Sequence, residues 1–309
     1  MNASVRGVIA VAGVVGLLAL AVGWAHAQVP VDPKTEADAA FKAAEAAMTK
    51  GPADIKLADQ AVLKIPEGHT FIPPVEAGRL LKVMGNRPGE GLLGLVMSMG
   101  KEEWFVVARN IKAGYIKDDD AKDWKADELL GSIKEGTEAS NTERRSRGIR
   151  EIDIIGWVQP PTYDAAAHRL VWSLSSKEKG VQDTSDAGIN YNTYALGRDG
   201  YISLNLVTSL KSIERDKPVA HGLLAALDFN EGKRYSDFNS STDKVAEYGL
   251  AALVAGVAAK KLGLLAMIGV FLLKFWKIGL LAVVGFGALA AKFFGRKKTA
   301  DSGQPPPTG

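Results

Sequence analysis

The stretch INYNTYALGRDGYISLNLV, residues 189–207, decides the fold class. Residues 189–196 and 201–207 are rich in β-branched and aromatic side chains, and Gly197-Arg198-Asp199-Gly200 between them has the composition of a hairpin turn. An antiparallel pair is expected here. Upstream, residues 169–175 alternate Leu170, Trp172 and Leu174 with Val171 and Ser173, the period of two that a half-buried strand requires. Residues 152–159 form a further strand pattern, separated from 169–175 by the turn-rich PPTYDAAAH at 160–168.

The same logic extends toward the N-terminus. Residues 92–99 and 104–109 flank Gly100-Lys101-Glu102-Glu103 and read as a hairpin; short alternating runs lie at 54–58 and 61–65. Helices are interspersed. An Ala-rich one is expected over 33–50, ended by Gly51-Pro52, and a second over 74–84 opens on Pro74 and stops at Gly85-Asn86. A third, capped by Asp123, has Ala126, Leu129, Leu130 and Ile133 at core spacing before a polar continuation to Arg147, and a fourth covers 213–227. Hairpins with interspersed helices specify an α+β fold with a largely antiparallel sheet, in one domain over 28–243.

Charge divides the chain into unlike parts. Up to Ala27 there is one base and no acid; residues 28–247 hold 29 bases and 34 acids, a net of −5; the remainder holds 8 bases and 1 acid, a net of +7. An acidic body argues against nucleic-acid binding, which needs a basic surface to displace phosphate counterions. Residues 1–27 carry Arg6, an apolar run and Ala25-His26-Ala27 in the pattern of a cleaved signal peptide. Near the other end, IGLLAVVGFGALAAKFF at 278–294 is flanked by Lys274 and Lys277 and by Arg296, Lys297 and Lys298. Seventeen residues reach ~25 Å as a helix, so a transmembrane helix over 274–295 is expected, its lysines snorkelling to the lipid surface. The expected topology is single-pass in the inner cell membrane, with the body periplasmic and the basic, then Pro-rich 296–309 tail cytoplasmic.

Between body and span, residues 244–273 are rich in Gly and Ala. Lys260 and Lys261 oppose a second full span, each costing ~2.5–3.5 kcal/mol at a membrane centre, so an interfacial or helix-packing segment is expected. Gly249, Ala252, Gly256, Ala259, Gly263 and Ala266 form one small-residue stripe, and self-association through Gly249, Gly256 and Gly263 is the reading it suggests.

The chemistry-bearing motifs are sparse. No cysteine is present, which removes disulfides, thiolate nucleophiles and cysteine metal sites, and the histidines outside the leader, His69, His168 and His221, form no metal-binding pair. Gly89, Gly91 and Gly94 fit GxGxxG literally but lead into a strand, where a dinucleotide loop must open a helix. Ser98 and Lys101 spell S-x-x-K across a turn, and the acids at 118–120 and 123 lack the calcium-loop glycine and distal glutamate. No cofactor or metal is therefore expected. The densest hydrogen-bonding and aromatic cluster is Asn190, Tyr191, Asn192, Tyr194, Arg198 and Tyr201, which with Trp157, Tyr163, Arg234 and Tyr235 forms a candidate face for a glycan, peptide or envelope protein.

Several long motifs carry a family resemblance: GHTFIPPVEAGRLLKVMGN at 68–86, GYIKDDDAKDWKADELL at 114–130, NTER at 141–144, GWVQPPTYD at 156–164, NYNTYALGRDGY at 190–201, and GKRYSDF with DKVAEYGLAALVAG between 232 and 256. In this order they resemble the bacterial membrane-anchored proteins of the domain of unknown function 2167 family. The resemblance implies an exported domain on a C-terminal anchor and brings no catalytic residue. The function expected is a non-enzymatic binding or scaffolding module of the cell envelope. The alternative is a hydrolase-like enzyme using His69, with Glu67 nearby, or His168, beside Asp164.

Overall fold

The computed structural model describes residues 33–255 except 87, 147, 149 and 186. The expected leader, the transmembrane span, the tail and residues 256–273 lie outside the described residues. Among the described residues no helix is long and apolar enough to cross a membrane.

The elements run α1 (Pro33–Ala47), β1 (Thr49–Lys50), β2 (Ala53–Leu57), β3 (Ala61–Ile65), β4 (His69–Ile72), α2 (Pro74–Val83), β5 (Leu92–Ser98), β6 (Phe105–Ile111), α3 (Ala126–Ser146), β7 (Ile152–Asp164), β8 (Arg169–Glu178), β9 (Gly188–Gly197), β10 (Gly200–Ser209), α4 (Ile213–Ala225), β11 (Leu227–Phe229) and α5 (Leu250–Val254). An eight-stranded antiparallel sheet has the order β1-β4-β5-β6-β10-β9-β8-β7, and a small sheet has the order β11-β3-β2. The α+β reading with a large antiparallel sheet is what the chain forms. Its pivotal hairpin turns at Arg198-Asp199, pairing Gly197 with Gly200, Tyr194 with Ser203 and Asn190 with Val207.

Alternation along the strands sorts the core into two faces. Ile189, Tyr191, Ile202, Leu204 and Val106 point to one face, where Leu223 and Leu224 of α4 and Leu57 and Leu63 of the small sheet cover them. On the other face, α1 and α2 bury Leu95, Phe105 and Val107 with Phe41 and Leu81, while α3 and α5 bury Leu170, Trp172 and Leu196 with Leu129 and Leu253. Each fully buried aliphatic side chain is worth ~1.5–3 kcal/mol, so the two-sided cover supplies the fold's main driving force.

Several boundaries differ from expectation. Helix α1 stops before Thr49 because Thr49 and Lys50 pair with Phe71 and Thr70 of β4. The segment expected as a turn at 160–168 is mostly strand: β7 runs through Pro160 and Pro161 to Asp164. This is possible because β7 lies at the sheet's edge and shifts register around Gln159 and Thr162, so the missing proline N–H groups break no inner ladder. Helix α3, by contrast, runs as expected through its polar half to Ser146, and on it Asn141 bonds the start of β7.

Asp123 does not cap α3; it closes a 3-10 turn at Asp119–Lys122. Within that turn, Asp120 instead accepts the N–H groups of Leu250 and Ala251, both at 3.0 Å, and so caps α5. A Cβ on Gly249 would lie 2.5 Å from Asp120 Oδ2, so this glycine makes room for a carboxylate of its own chain. Gly256 and Gly263 of the expected stripe lie outside the described residues. The GxGxxG glycines are likewise structural. Gly91 and Gly94 adopt φ of 69° and 150°, and Cβ atoms there would meet Asn110 O at 2.0 Å and the Phe71 ring at 2.4 Å.

Candidate functional site

The end of β7, the start of β8 and the 3-10 turn Tyr235–Asp237 converge on His168. Asp164 Oδ1 accepts the N–H groups of Ala166 and Ala167, at 2.9 and 3.1 Å, and so folds the chain back sharply after β7. His168 closes this turn with φ of 52°, in the left-handed region that costs an L-residue energy, while its carbonyl accepts the Leu196 N–H at 2.9 Å.

The His168 ring is fixed on two sides. Its face stacks on Tyr235, with ring centroids 4.1 Å apart, and Tyr235 stacks in turn on Tyr115 at 4.4 Å. Its edge meets the Tyr163 hydroxyl, 3.1 Å from Nδ1, and that hydroxyl donates to Asp118 Oδ2 at 2.6 Å. A carboxylate only accepts, so the single Tyr163 proton serves Asp118 and the phenolic oxygen must accept from His168 Nδ1–H. Burial, then the Asp118 bond, raises the Tyr163 hydroxyl well above the ordinary tyrosine range, which keeps it a donor. The neutral imidazole thus carries its proton on Nδ1 and presents Nε2 as a lone pair. Tyr235, whose ionisation burial likewise opposes, donates its hydroxyl to Ile116 O at 2.8 Å.

This wall borders an open cleft of about 480 Å³. Ala195, Leu196, Leu227 and Phe229 supply apolar lining, and Arg169, Arg234 and Ser236 stand with His168 around it. Asp228 also lines it and has Lys64 Nζ 3.5 Å away. The Arg169 Nη2 donates to Leu227 O at 3.3 Å.

Comparison with known proteins places the chain. The model of the family described as "Protein of unknown function (DUF2167)" matches residues 49–284. The chain belongs to this family. The DUF2167 match includes every residue of the cleft. No curated protein matches the chain. Among solved structures, the solution structure of cyanobacterial PsbP (CyanoP) from Synechocystis sp. PCC 6803 is similar at 10% identity and a TM-score of 0.35, over 60% of this chain and 94% of that one. A TM-score this low assigns neither fold nor function.

The candidate face expected from the DUF2167 sequence divides among several places. Tyr163, Arg234 and Tyr235 come together at the His168 cleft. Tyr191 does not join them: it points to the opposite face, is 1% exposed and shares a 2.8 Å hydrogen bond with His221 Nε2. Arg198 clamps Asp243 through two bonds, Nε to Oδ2 at 2.7 Å and Nη2 to Oδ1 at 2.8 Å, which ties the hairpin tip to the chain ahead of α5. Trp157 Nε1 donates to Ala126 O at 3.1 Å and secures the start of α3. Asn190 and Asn192 lie farther along β9, where Asn205 Nδ2 donates to Asn190 Oδ1 at 3.2 Å and Asn192 Nδ2 to Asn190 O at 3.3 Å. Tyr194 is packed between Tyr201 and Trp172, and burial pushes its hydroxyl up to about 12.

The expected carboxylate partners of the histidines also change. Asp164 caps its own turn, and Asp118, 50 positions before His168 in the chain, faces the ring, with Oδ2 3.6 Å from Nδ1. His69 Nδ1 meets the Glu67 carbonyl at 2.9 Å rather than its carboxylate, and the ring faces Trp104 at 5.3 Å. His69 borders another cleft, of about 370 Å³, in which Ser98 Oγ donates to Glu102 Oε2 at 2.5 Å. Four strands separate β4 from β8, so His69 and His168 belong to different sites. Among the described residues no group of three or more His, Cys, Asp or Glu side chains is arranged to hold a metal. Sequence reasoning missed Asp118 and Tyr115 as site residues; the acidic run at 118–120 was visible, but its partners arrive from β7 and α5.

Proposed function

We propose that the chain is a membrane-anchored extracytoplasmic module that binds a component of the cell envelope at the His168 cleft without transforming it. The observation that supports this most is the His168 backbone. Ala58 is left-handed too, in the plain β2–β3 turn, but at His168 the same backbone is joined to a ring clamped by Tyr235 and Tyr163, and such over-determined strain gathers at ligand sites. The anchor and the export rest on the sequence: a leader pattern at 1–27, an apolar span at 274–295 with basic flanks, and the contrast between a −5 body and a +7 tail. Association with lipid through the span, and between copies through the small-residue stripe, belongs to the same reading.

A photo-crosslinking residue at Ser236, in the full chain in its own envelope, tests the module. A discrete adduct that Arg234→Ala and His168→Ala abolish, while His69→Ala leaves it intact, is the expected result. An adduct unchanged in both cleft variants, with all proteins equally thermostable, would sink the proposal. The second reading is a hydrolase-like enzyme with His168 as general base, and the chain Asp118–Tyr163–His168 favours it by directing Nδ1–H to Tyr163 and leaving Nε2 as the lone pair of the neutral ring. Consumption of the captured component by the wild type but not by His168→Ala would establish that reading instead.

A further inference from the structure

We propose that the His168 cleft takes an acidic saccharide, a sugar bearing a carboxylate or phosphate group; this rests on the reading of the cleft as the binding site. Three unlike chemistries meet there. Arg169 and Arg234 supply planar forks of N–H donors suited to a carboxylate or phosphate. The carboxylate that also lines the cleft, Asp228, is offset by Lys64 at 3.5 Å. His168 Nε2, left as a lone pair by the Nδ1–Tyr163–Asp118 arrangement, asks for a hydrogen-bond donor such as a ring hydroxyl. The half-buried Phe229 ring, backed by the buried Leu196 and Leu227, offers an apolar surface for the C–H face of a sugar.

No simpler ligand uses all three. A bare phosphate leaves the apolar lining and the imidazole lone pair without a purpose. A neutral sugar brings no anion to Arg234 or to the Arg169 donors beyond the one on Leu227 O, and an acyl chain gains nothing from this polar rim. The volume of about 480 Å³ falls within the ~300–1,000 Å³ range of small-molecule sites, although this cleft is open on one side.

The test uses the full chain in detergent micelles, titrated calorimetrically with glucuronic acid, glucose 6-phosphate, glucose and inorganic phosphate. At least one acidic sugar should bind about tenfold or more tighter than both glucose and phosphate, the difference from glucose set by the charge-assisted bonds and that from phosphate by the His168 and Phe229 contacts. Arg234→Gln should erase the advantage over glucose while glucose binding stays within about twofold. His168→Phe, which keeps a ring against Tyr235 and removes the lone pair, should weaken acidic and neutral sugars alike. Comparing the carboxylate with the phosphate probe identifies which anion is preferred. Binding of neither acidic sugar at millimolar concentration, or phosphate binding as tightly as the sugars, overturns the proposal. The Ser236 crosslink separates this failure from failure of the binding site itself: an envelope adduct that acidic sugars do not compete for rejects the saccharide and keeps the cleft.

Discussion

Asn141, on α3, pairs both main-chain groups of Ile152 at the start of β7: Nδ2 donates to the carbonyl at 2.8 Å and Oδ1 accepts the N–H at 3.0 Å. The asparagine is fully buried and also donates to Glu138 Oε2. Its amide therefore acts as a short piece of neighbouring strand and seals one end of an edge strand to the helix covering it. Asn141→Ala removes both bonds and leaves buried groups without partners, at a cost of about 1–3 kcal/mol. Urea unfolding of the full chain reads this directly, and an unchanged midpoint would show that α3 does not hold β7 in this way.

Two glycines should respond to alanine with opposite signs. At Gly94, on β5, a methyl group meets the Phe71 ring at 2.4 Å and Ile72 O at 2.5 Å from a backbone with φ of 150°. Gly94→Ala should destabilise by about 1–3 kcal/mol through overpacking. At Gly222, inside α4, a methyl group meets nothing within 4 Å, so Gly222→Ala should stabilise by about 0.5–1 kcal/mol through restricting the unfolded chain. Equal effects at the two positions would contradict the tight seating of β5 on β4.

Acid should weaken the fold through two paired aspartates. The Gln60 amide and then the Lys233 ammonium hold the Asp59 carboxyl at about 2, down from 3.8, and the Arg198 guanidinium holds Asp243 still lower. A carboxyl whose folded pKa is depressed contributes stability that is present above its unfolded value and lost as pH falls through the folded one. The loss due to Asp59 therefore falls between pH of about 4 and about 2, and that due to Asp243 begins in the same region and continues lower. Unfolding midpoints measured from pH 5 to pH 2 should drop more steeply for wild type than for Asp59→Asn or Asp243→Asn. Parallel curves would mean that neither pair contributes.

The hairpin at 188–209 and the strand pattern of β8 were legible because each encodes its period and turn within a dozen residues. The strand character of 160–164 was not, since Pro160 and Pro161 signal a turn locally and become acceptable only when β7 takes the edge of the sheet. The cleft was half legible for the same reason. Tyr163, Arg234 and Tyr235 stand out as residue types, and His168 as a candidate base. Asp118, which fixes the imidazole through Tyr163, looks like one acid in a polar run until the chain folds. Tyr191 shows the reverse error: strand alternation sends it away from Asn190 and Asn192, its immediate neighbours in sequence.

The left-handed backbone at His168 predicts an order of stabilities that its side chain alone does not. With φ of 52°, glycine is relieved of a steric cost that alanine still bears, so His168→Gly should be more stable than His168→Ala by about 1–2 kcal/mol. At an ordinary strand position the order is inverted, because glycine there loses more entropy on folding. Thermal or urea unfolding of the two full-length variants decides the matter, and alanine proving the more stable would remove the strained-backbone argument for the cleft.

Tyr163→Phe isolates the imidazole from the rest of the site. The ring keeps its place at the end of β7 and His168 keeps its stack on Tyr235, but the hydroxyl that joins Asp118 to Nδ1 is gone. With Asp118 Oδ2 3.6 Å from Nδ1, no short bond then fixes which nitrogen is protonated, and neutral His168 should redistribute toward the Nε2–H form usual for a free imidazole. Nitrogen-15 chemical shifts of His168 report this: in wild type at pH 8 the protonated nitrogen should be Nδ1, and in Tyr163→Phe the two nitrogen shifts should move toward each other or exchange places. An Nε2–H tautomer in wild type would show that Tyr163 does not direct its proton to Asp118, and would take the lone pair away from the cleft.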